Sequence, residues 1–303
     1  NMLEGKLTPY IQKVIAGEMS AKDLANALKI AINSVYGLTA AKFPNVFKDP
    51  RNVDNIVAKR GALFMLDLKY EVEQRGFTVA HIKTDSIKIP DATKEIIDFV
   101  MEFGKKYGYT FEHEATYEKM CLVNKAVYIA KYKDGKNAGK WTATGEQFQV
   151  PYVFKKLFTG EPIVFEDMCE TMSVTTALHL DMNEHLPEGE HNYRFIGKVG
   201  SFCPIKPGCN GGILVREGKD KEGNIKYSAA TGSKGYRWLE SEMVKELDKE
   251  DCIDRSYYDN LVNEAAKTIT VYGDLEWFRS DEPYFGPDFI DGRPNYEEEI
   301  PFL

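Results

Sequence analysis

Residues 29–37 read Lys-Ile-Ala-Ile-Asn-Ser-Val-Tyr-Gly, and residues 81–89 read His-Ile-Lys-Thr-Asp-Ser-Ile-Lys-Ile. Apolar residues recur at spacings of three and four through the first stretch and the residues before it, which predicts an amphipathic helix. Lys29, Asn33 and Tyr36 lie on its other side, within roughly 60° of one another at about 100° per residue. This helix face would offer a cation, an amide and a phenol to a charged ligand.

The second stretch alternates apolar residues around a Lys-Thr-Asp-Ser centre. This pattern predicts a β-hairpin with Asp85 at or beside its turn. An aspartate in a turn commonly hydrogen-bonds its own backbone, and that is the structural interpretation of Asp85. The functional interpretation is a carboxylate presented to a divalent metal beside the helix face.

The order of these stretches resembles two motifs of the phage-like family B DNA polymerases: Lys-x-x-x-Asn-Ser-x-Tyr-Gly, a long helix, then a hairpin with Thr-Asp-Ser. Residues 121–128, Cys-Leu-Val-Asn-Lys-Ala-Val-Tyr, resemble the family's primer-gripping strand. The resemblance covers residues 20–160. It implies an α+β fold of right-hand polymerase architecture, with helical fingers, an antiparallel palm sheet backed by helices, and a helical thumb with a small β-rich insertion.

The resemblance also implies a domain plan. The fingers helices would occupy residues 1–42, the palm 43–157, the thumb 158–280 and an acidic tail 281–303. A β-rich module, rich in glycine, would lie at about 190–238 within the thumb. The sequence patterns predict helices and strands over the following residues: helices at 7–18 (interrupted at Gly17), 20–37, 52–74 (ending before Gly76), 96–107, 163–183 and 239–270, and strands at 110–114 and 120–131.

The family's reaction is the template-directed addition of deoxynucleoside triphosphates to a primer 3′ end with two Mg²⁺ ions. Carried over by position, Lys29 would meet the triphosphate, Asn33 the sugar or backbone and Tyr36 the nascent base pair. Asp85 would be the catalytic metal ligand. The family's second aspartate precedes the fingers in a motif Asp-x-x-Ser-Leu-Tyr-Pro, which does not occur here. The chain is therefore expected to need an upstream polymerase and exonuclease part, covalent or separate, that shares the two ions.

Two positions depart from the family pattern. Lys83 stands where the hairpin usually has its first aspartate, and we expect it to contact primer phosphate or to compensate charge at the metal site. The usual Lys-x-Tyr would place its lysine at Ala126, whereas this chain has Lys125. Because adjacent strand residues face opposite sides, Lys125 need not replace it. Tyr128 keeps the expected contact with the primer backbone.

Further DNA contacts are predicted from cations outside the motifs. Lys155 and Lys156 would lead from palm to thumb. Lys234 and Arg237 lie in Gly-Ser-Lys-Gly-Tyr-Arg-Trp at 232–238, which mixes glycine, cations and aromatic rings as a backbone-tracking surface does. An ordinary exposed loop is the alternative for this stretch.

The net charge of −8 is unevenly distributed. Residues 240–303 contain 18 acidic and 6 basic residues, leaving 29 acidic and 33 basic over residues 1–239. The mildly basic part is compatible with a nucleic-acid partner. No apolar run approaches the ~20 residues of a membrane span, so we expect a cytoplasmic protein without membrane partners. The resemblance to phage-like polymerases implies a phage protein in a bacterial host. The five cysteines lack a Cys-x-x-Cys pair and are interpreted as reduced and mostly buried.

The expected partners are primer-template DNA, a deoxynucleoside triphosphate and the upstream part. A sliding clamp is a candidate for the apolar chain end after Glu297–Glu299, with packing of that end as the alternative. A rival interpretation is a non-catalytic DNA-binding or replication-assembly subunit that keeps the polymerase fold, which Lys83 and Ala126 favour. In a third interpretation, the motifs occur by coincidence in an unrelated α+β protein.

Overall fold

A computed structural model describes residues 4–230, 232–233, 235–282, 289–290 and 293–294. The α-helices are α1 (Glu4–Ile15), α2 (Ala21–Ala40), α3 (Pro50–Val53), α4 (Ile56–Glu73), α5 (Lys94–Lys106), α6 (Glu146–Gln149), α7 (Pro151–Phe154), α8 (Ser241–Glu246), α9 (Arg255–Thr270) and α10 (Leu275–Arg279). The strands are β1 (His81–Lys83), β2 (Ser86–Lys88), β3 (Tyr117–Leu122), β4 (Tyr128–Tyr132), β5 (Trp141–Ala143), β6 (Glu170–Asp181), β7 (Tyr193–Ile205), β8 (Ile213–Lys219), β9 (Ile225–Ala229), β10 (Arg237–Glu240), β11 (Phe289–Ile290) and β12 (Arg293–Pro294).

Every strand pairing among the described residues is antiparallel, which with the helices confirms the α+β class. The chain divides after His113 into two compact units. This boundary falls inside the range 43–157 predicted for the palm. Within the described residues, no helix combines the length and apolar content needed to cross a membrane.

The core of the first unit lies between α4, α5 and the β1–β2 hairpin. Met65 and Leu68 from α4 and Ile96 from α5 are buried, and Ile82 and Ile87 of the hairpin pack against them. The hairpin is thus anchored through its apolar residues. Its polar turn extends away from this core.

Helix α1 ends and helix α2 begins at the predicted signals, but the other two ends differ: α1 begins at Glu4, and α2 continues to Ala40 because Gly37 remains helical. Gly17 has a positive φ of 75°, which ends the first helix, as predicted. Ser20 caps α2, and its Oγ accepts a hydrogen bond from the Asp23 N–H at 3.0 Å. The prediction that Lys29 lies on a helix is therefore confirmed.

The helix predicted over 52–74 is broken near its start. Asn55 takes a left-handed conformation with φ 58°, which separates α3 from α4. At its other end, the Phe77 N–H bonds the Val72 carbonyl at 3.4 Å and the Gly76 N–H bonds the Glu73 carbonyl at 2.9 Å. This pair of bonds is the Schellman arrangement, in which Gly76 supplies the positive φ. The predicted stop at Gly76 is confirmed.

The strands of the first and second units form separate sheets. Strands β1 and β2 pair only with each other among the described strands. Strands β3, β4 and β5 form a second sheet, whose buried residues, such as Ile129, pack with Phe148 and with Ala265 and Ile269 of α9. The pairings thus do not join the Asp85 hairpin and the segment around Tyr128 into one sheet.

The strand predicted over 120–131 is in fact two strands joined by a turn. Residues 123–127 leave the sheet, and the Asn124 Oδ1 accepts the backbone N–H groups of Ala126 at 2.8 Å and Val127 at 3.0 Å. This side-chain bonding replaces strand pairing because asparagine can mimic a backbone turn. No strand forms at 110–114, where the backbone is irregular up to β3.

The second unit is built around a five-stranded sheet in the order β10-β7-β6-β8-β9. Its core includes Leu178, Leu180, Phe202 and Trp238, with α8 and α9 packed against them. The strands predicted for the glycine-rich module at about 190–238 are therefore present. The sheet is larger than this module, because its strands lie between residues 170 and 240.

The prediction of a helix over residues 163–183 is wrong. Residues 170–181 form β6, and exposure alternates residue by residue from Glu170 to Thr175. The sequence there contains three threonines and Val174, whose branched Cβ atoms favour strands. Met172, Val174, Leu178 and Leu180 lie at even spacings, which fit the strand period as well as the helical one.

Candidate functional site

The predicted nucleotide-binding side chains lie on one exposed face of α2. Lys29, Asn33 and Tyr36 are all exposed, and Tyr36 keeps 44% of its surface accessible. The helix buries none of its residues, so Leu28 and Val35 on its apolar side are also exposed. The side chain of Lys29 has no ion-pair partner within the described ranges.

The Asp85 hairpin is tight because its turn contains two residues. Lys83 and Ser86 are directly opposite each other, and Thr84 between them has a positive φ of 53°. The Asp85 N–H donates to the Lys83 carbonyl at 2.7 Å, and the Ser86 Oγ donates to the same oxygen at 3.2 Å. Backbone and serine groups therefore close the turn.

The Asp85 carboxylate takes no part in closing this turn. Asp85 is exposed, and among the described residues no backbone N–H donates to its side chain. The structural interpretation, in which the Asp85 side chain hydrogen-bonds its own backbone in the turn, thus does not match the observed bonds. Lys83 is also exposed, which puts a cation two residues from the carboxylate at the same tip.

Metal binding at this tip would need ligands from elsewhere. Within the part of the chain that the structure describes, no group of three or more His, Cys, Asp or Glu side chains is placed to hold a metal ion. Asp85 fits the role of one carboxylate ligand, since Mg²⁺ prefers oxygen. A cation there would be repelled by the exposed ammonium of Lys83, which has the same charge.

Two residues of the second unit that are predicted to contact the primer lie in a turn and at the start of a strand. Lys125 is exposed in the turn between β3 and β4, not on a strand. Because Lys125 and Ala126 lie in a turn, the alternation of side chains along a strand does not determine which way either of them faces. Tyr128 begins β4, and its N–H donates to the Thr144 Oγ1 at 3.1 Å. Thr144 in turn donates to the Ala126 carbonyl at 3.0 Å, so it holds the end of this turn that leads into β4.

Tyr128 belongs to a group of three aromatic rings whose other members, Tyr117 and Tyr132, were not predicted as site residues. The ring of Tyr117 lies 6.3 Å from that of Tyr128 and 5.2 Å from that of Tyr132. Burial raises the pKa of Tyr117, and a hydrogen bond with Tyr128 raises it further. The spacing of Tyr128 and Tyr132 at strand period is the signal that could have found this aromatic group.

The other cations that are predicted to contact DNA differ in their partners within the chain. Lys155 donates to the Asp167 carboxylate at 2.8 Å, and Arg237 is paired with Glu184. Lys156 is exposed with its Nζ 5.9 Å from the centre of the Tyr152 ring. Lys155 and Arg237 thus have acidic partners inside the chain. Lys234 and the segment Glu297–Glu299 lie outside the described residues.

No protein-family model matches this chain, and no curated protein matches its sequence.

Proposed function

We propose that the chain is part of a DNA-directed DNA polymerase of the family B type that adds deoxynucleoside triphosphates to a primer 3′ end. The observation that carries the proposal is the exposed Asp85 carboxylate at the tip of a tight hairpin, which the turn itself does not use. Such a group is available to bind a ligand. The helix face of Lys29, Asn33 and Tyr36 is exposed in the same unit.

The α2 face would bind the incoming nucleotide. The Lys29 ammonium would pair with triphosphate oxygens, an interaction strengthened by charge on both partners. One turn further along, Asn33 would bond the sugar or backbone, and the Tyr36 ring would pack against the nascent base pair. The helical spacing keeps these three groups on one side, so one nucleotide can contact all of them.

Asp85 would act as a ligand for Mg²⁺, together with an aspartate that this chain lacks and an upstream part would supply. When bound, two such ions lower the pKa of the primer hydroxyl and stabilise the charge that develops on the phosphate. The hairpin's contribution is positional: its apolar residues hold the strands on the α4–α5 core, and the closed turn fixes the backbone of Asp85. Lys83 would pair with primer phosphate.

The segment around Tyr128 would hold the primer. Tyr128 would contact the primer backbone, and the exposed Lys125 in the neighbouring turn would pair with a phosphate. Lys156, also exposed, is a further candidate for phosphate contact. The proposed setting is the cytoplasm of a bacterial host during phage DNA replication, with primer-template DNA, a deoxynucleoside triphosphate and a sliding clamp as partners.

One observation favours a second function, a non-catalytic DNA-binding or replication-assembly subunit with the same fold. Lys83 is exposed at the hairpin tip beside Asp85, where a cation opposes metal binding and favours phosphate binding. In this case the hairpin would bind DNA without catalysing the reaction.

Primer extension discriminates the two functions. The chain would be assayed within its full polypeptide, or mixed with a candidate amino-terminal polypeptide, on a labelled primer-template with Mg²⁺. The enzyme function predicts extension that Asp85→Ala and Asp85→Asn both abolish. Asp91→Asn is the matched control, because Asp91 is an exposed aspartate with a positive φ of 50° in the same unit.

Primer-template binding without extension in every combination would favour the non-catalytic subunit. Absence of binding at low salt would overturn both functions, because phosphate contacts are strongest there.

A further inference from the structure

Two cysteines lie opposite each other where β6 begins and β7 ends. The Sγ atoms of Cys169 and Cys203 are 3.7 Å apart. Cys169 has extended backbone angles of φ −116° and ψ 120°, so it continues the line of β6. Glu170 is paired with Phe202, which places Cys169 at the next position, opposite Cys203.

This register suits a disulfide. Opposite residues of an antiparallel pair have Cα atoms about 4.5–5.5 Å apart, within the range of about 4.4–6.8 Å that disulfides require. Their side chains also point to the same face of the sheet, as the short distance between the sulfurs indicates. Formation of the bond requires the sulfurs to move from 3.7 Å apart to about 2 Å.

The two thiols differ in their access to solvent. Cys169 is half-buried, whereas Cys203 has no exposed surface and lies in the core of the five-stranded sheet. A small oxidant can therefore reach Cys169 but not Cys203. This asymmetry gives each thiol a separate role.

We propose that Cys169 and Cys203 form a reversible redox modification site whose oxidant is a peroxide. The Cys169 sulfur attacks one oxygen of hydrogen peroxide, the O–O bond breaks, and one water leaves with the thiol proton. The product is a sulfenic acid on Cys169. The Cys203 sulfur then attacks the Cys169 sulfur, the S–O bond breaks and a second water leaves. The two thiols lose two electrons, and the peroxide is reduced to two waters.

The hydrogen bond between the thiols supports these roles. Burial raises the pKa of both thiols, and their mutual bond lowers the pKa of Cys169 while it raises that of Cys203. Because Cys169 is the more accessible sulfur, it is the one that meets the oxidant first. Because burial raises both values, oxidation is expected to be slow at neutral pH and faster as the pH rises.

The disulfide would fasten the segment before β6 to the sheet. That segment carries Glu166, whose carboxylate pairs with Lys245 of α8 at 2.8 Å. It also carries Asp167, which pairs with Lys155. A covalent link at Cys169 would add to these ion pairs, and the oxidised chain should have a higher Tm than the reduced chain.

A second pair of thiols serves as an internal comparison. Cys209 and Cys252 are both half-buried, and their hydrogen bond raises the pKa of Cys252. The Lys206 N–H holds their segments together by donating to the Cys252 carbonyl at 2.9 Å. Neither residue belongs to a strand, so strand register does not fix the distance between their Cα atoms.

The test is oxidation of the full chain with hydrogen peroxide at neutral and alkaline pH. Free thiols would then be alkylated and the peptides mapped without reduction by mass spectrometry. We expect a linked peptide pair containing Cys169 and Cys203, lighter by two hydrogen atoms than the two thiol peptides and released by dithiothreitol. Its formation should be faster at alkaline pH.

Cys169→Ser should abolish this link, and Cys209→Ser, the matched control from the comparison pair, should retain it. In a folded Cys203→Ala variant, dimedone should trap the sulfenic acid on Cys169; should that variant fail to fold, Cys169→Ser alone decides. Oxidation of Cys169 to sulfonic acid with no link, or a link only between Cys209 and Cys252, would overturn the proposal.

Discussion

The Lys155 ammonium lies 2.8 Å from the Asp167 carboxylate, and their side chains retain only 20% and 7% of their exposed surface. The same carboxylate accepts the Val164 N–H at 2.8 Å. Asp167 thus joins the segment before β6 to the π-helical segment Lys155–Thr159 that follows α7. A charge pair withdrawn from water in this way is costly to break, because the remaining charge has no partner.

Replacement of Asp167 by alanine is therefore expected to lower the free energy of unfolding by about 2–4 kcal/mol. It removes the acceptor of the Val164 N–H and leaves the Lys155 ammonium with only the Pro162 carbonyl, 3.4 Å away. Urea unfolding of Asp167→Ala, Lys155→Met and the double variant measures the loss and the coupling between the two residues. A coupling below about 0.5 kcal/mol would contradict a buried pair. Lys156→Met, a change in the exposed neighbouring lysine, should have little effect on stability.

A second prediction concerns Gly145, which follows β5 and faces the turn around Lys125. A Cβ there would lie 2.7 Å from one Val127 methyl and 2.8 Å from the other, on a backbone with φ 98°. Gly145→Ala should therefore destabilise the protein by about 2–3 kcal/mol, through both overlap and backbone strain. Thermal unfolding followed by circular dichroism gives the change in Tm.

Gly139→Ala is the matched control for this overlap. Gly139 also has a positive φ, 73°, but nothing lies within 4 Å of its added Cβ. Its alanine variant should therefore lose only the conformational term, about 1 kcal/mol. Equal losses in the two variants would show that the contact with Val127 does not contribute.

Local signals in the sequence predict three helix ends of the first unit: the end of α1, the start of α2 and the end of α4. Ser20, Gly17 and Gly76 have specific chemical roles at a cap or a left-handed position, and each has that role in the structure. The break at Asn55 was not predicted because asparagine also occurs within helices, although it adopts the left-handed conformation more readily than most residues.

The errors in the second unit have a different physical cause. In β6, the apolar residues fit both periods, and the neighbours β7 and β8, which are distant in sequence, decide in favour of a strand. At Asn124, a single side chain that bonds two N–H groups interrupts a segment of strand-like composition. The ion pairs of Lys155 and Arg237 join residues 12 or more positions apart, so the sequence alone does not reveal them.

A third prediction follows from Asp49, the residue that caps α3. Its carboxylate accepts the Arg51 N–H at 2.9 Å and the Arg51 guanidinium at 2.7 Å, and this arginine lowers the pKa of Asp49 from 3.8 to about 2. Because the folded pKa is below the unfolded value, the contribution to stability is present above 3.8 and is lost as the pH falls toward 2.

Carboxyl NMR titration of the folded chain measures this directly. Arg51→Ala should return the midpoint of Asp49 toward 3.8, whereas Arg60→Ala, a change in another exposed arginine of the same unit, should leave it near 2. A midpoint already close to 3.8 in the unchanged protein would show that the Arg51 bonds do not form in solution.

The last prediction concerns Lys29 and the proposed nucleotide. If its ammonium pairs with the triphosphate, Lys29→Ala should weaken binding by about 1.5–3 kcal/mol, roughly 10- to 150-fold in Kd, since a bond between charged groups is lost. Equilibrium binding of a fluorescent deoxynucleoside triphosphate to the chain measures this without need of catalysis. Lys42→Ala removes an exposed lysine just beyond the end of α2 and should leave Kd unchanged. Equal weakening by both changes would indicate attraction by overall charge, and it would separate Lys29 from any specific role on the helix face.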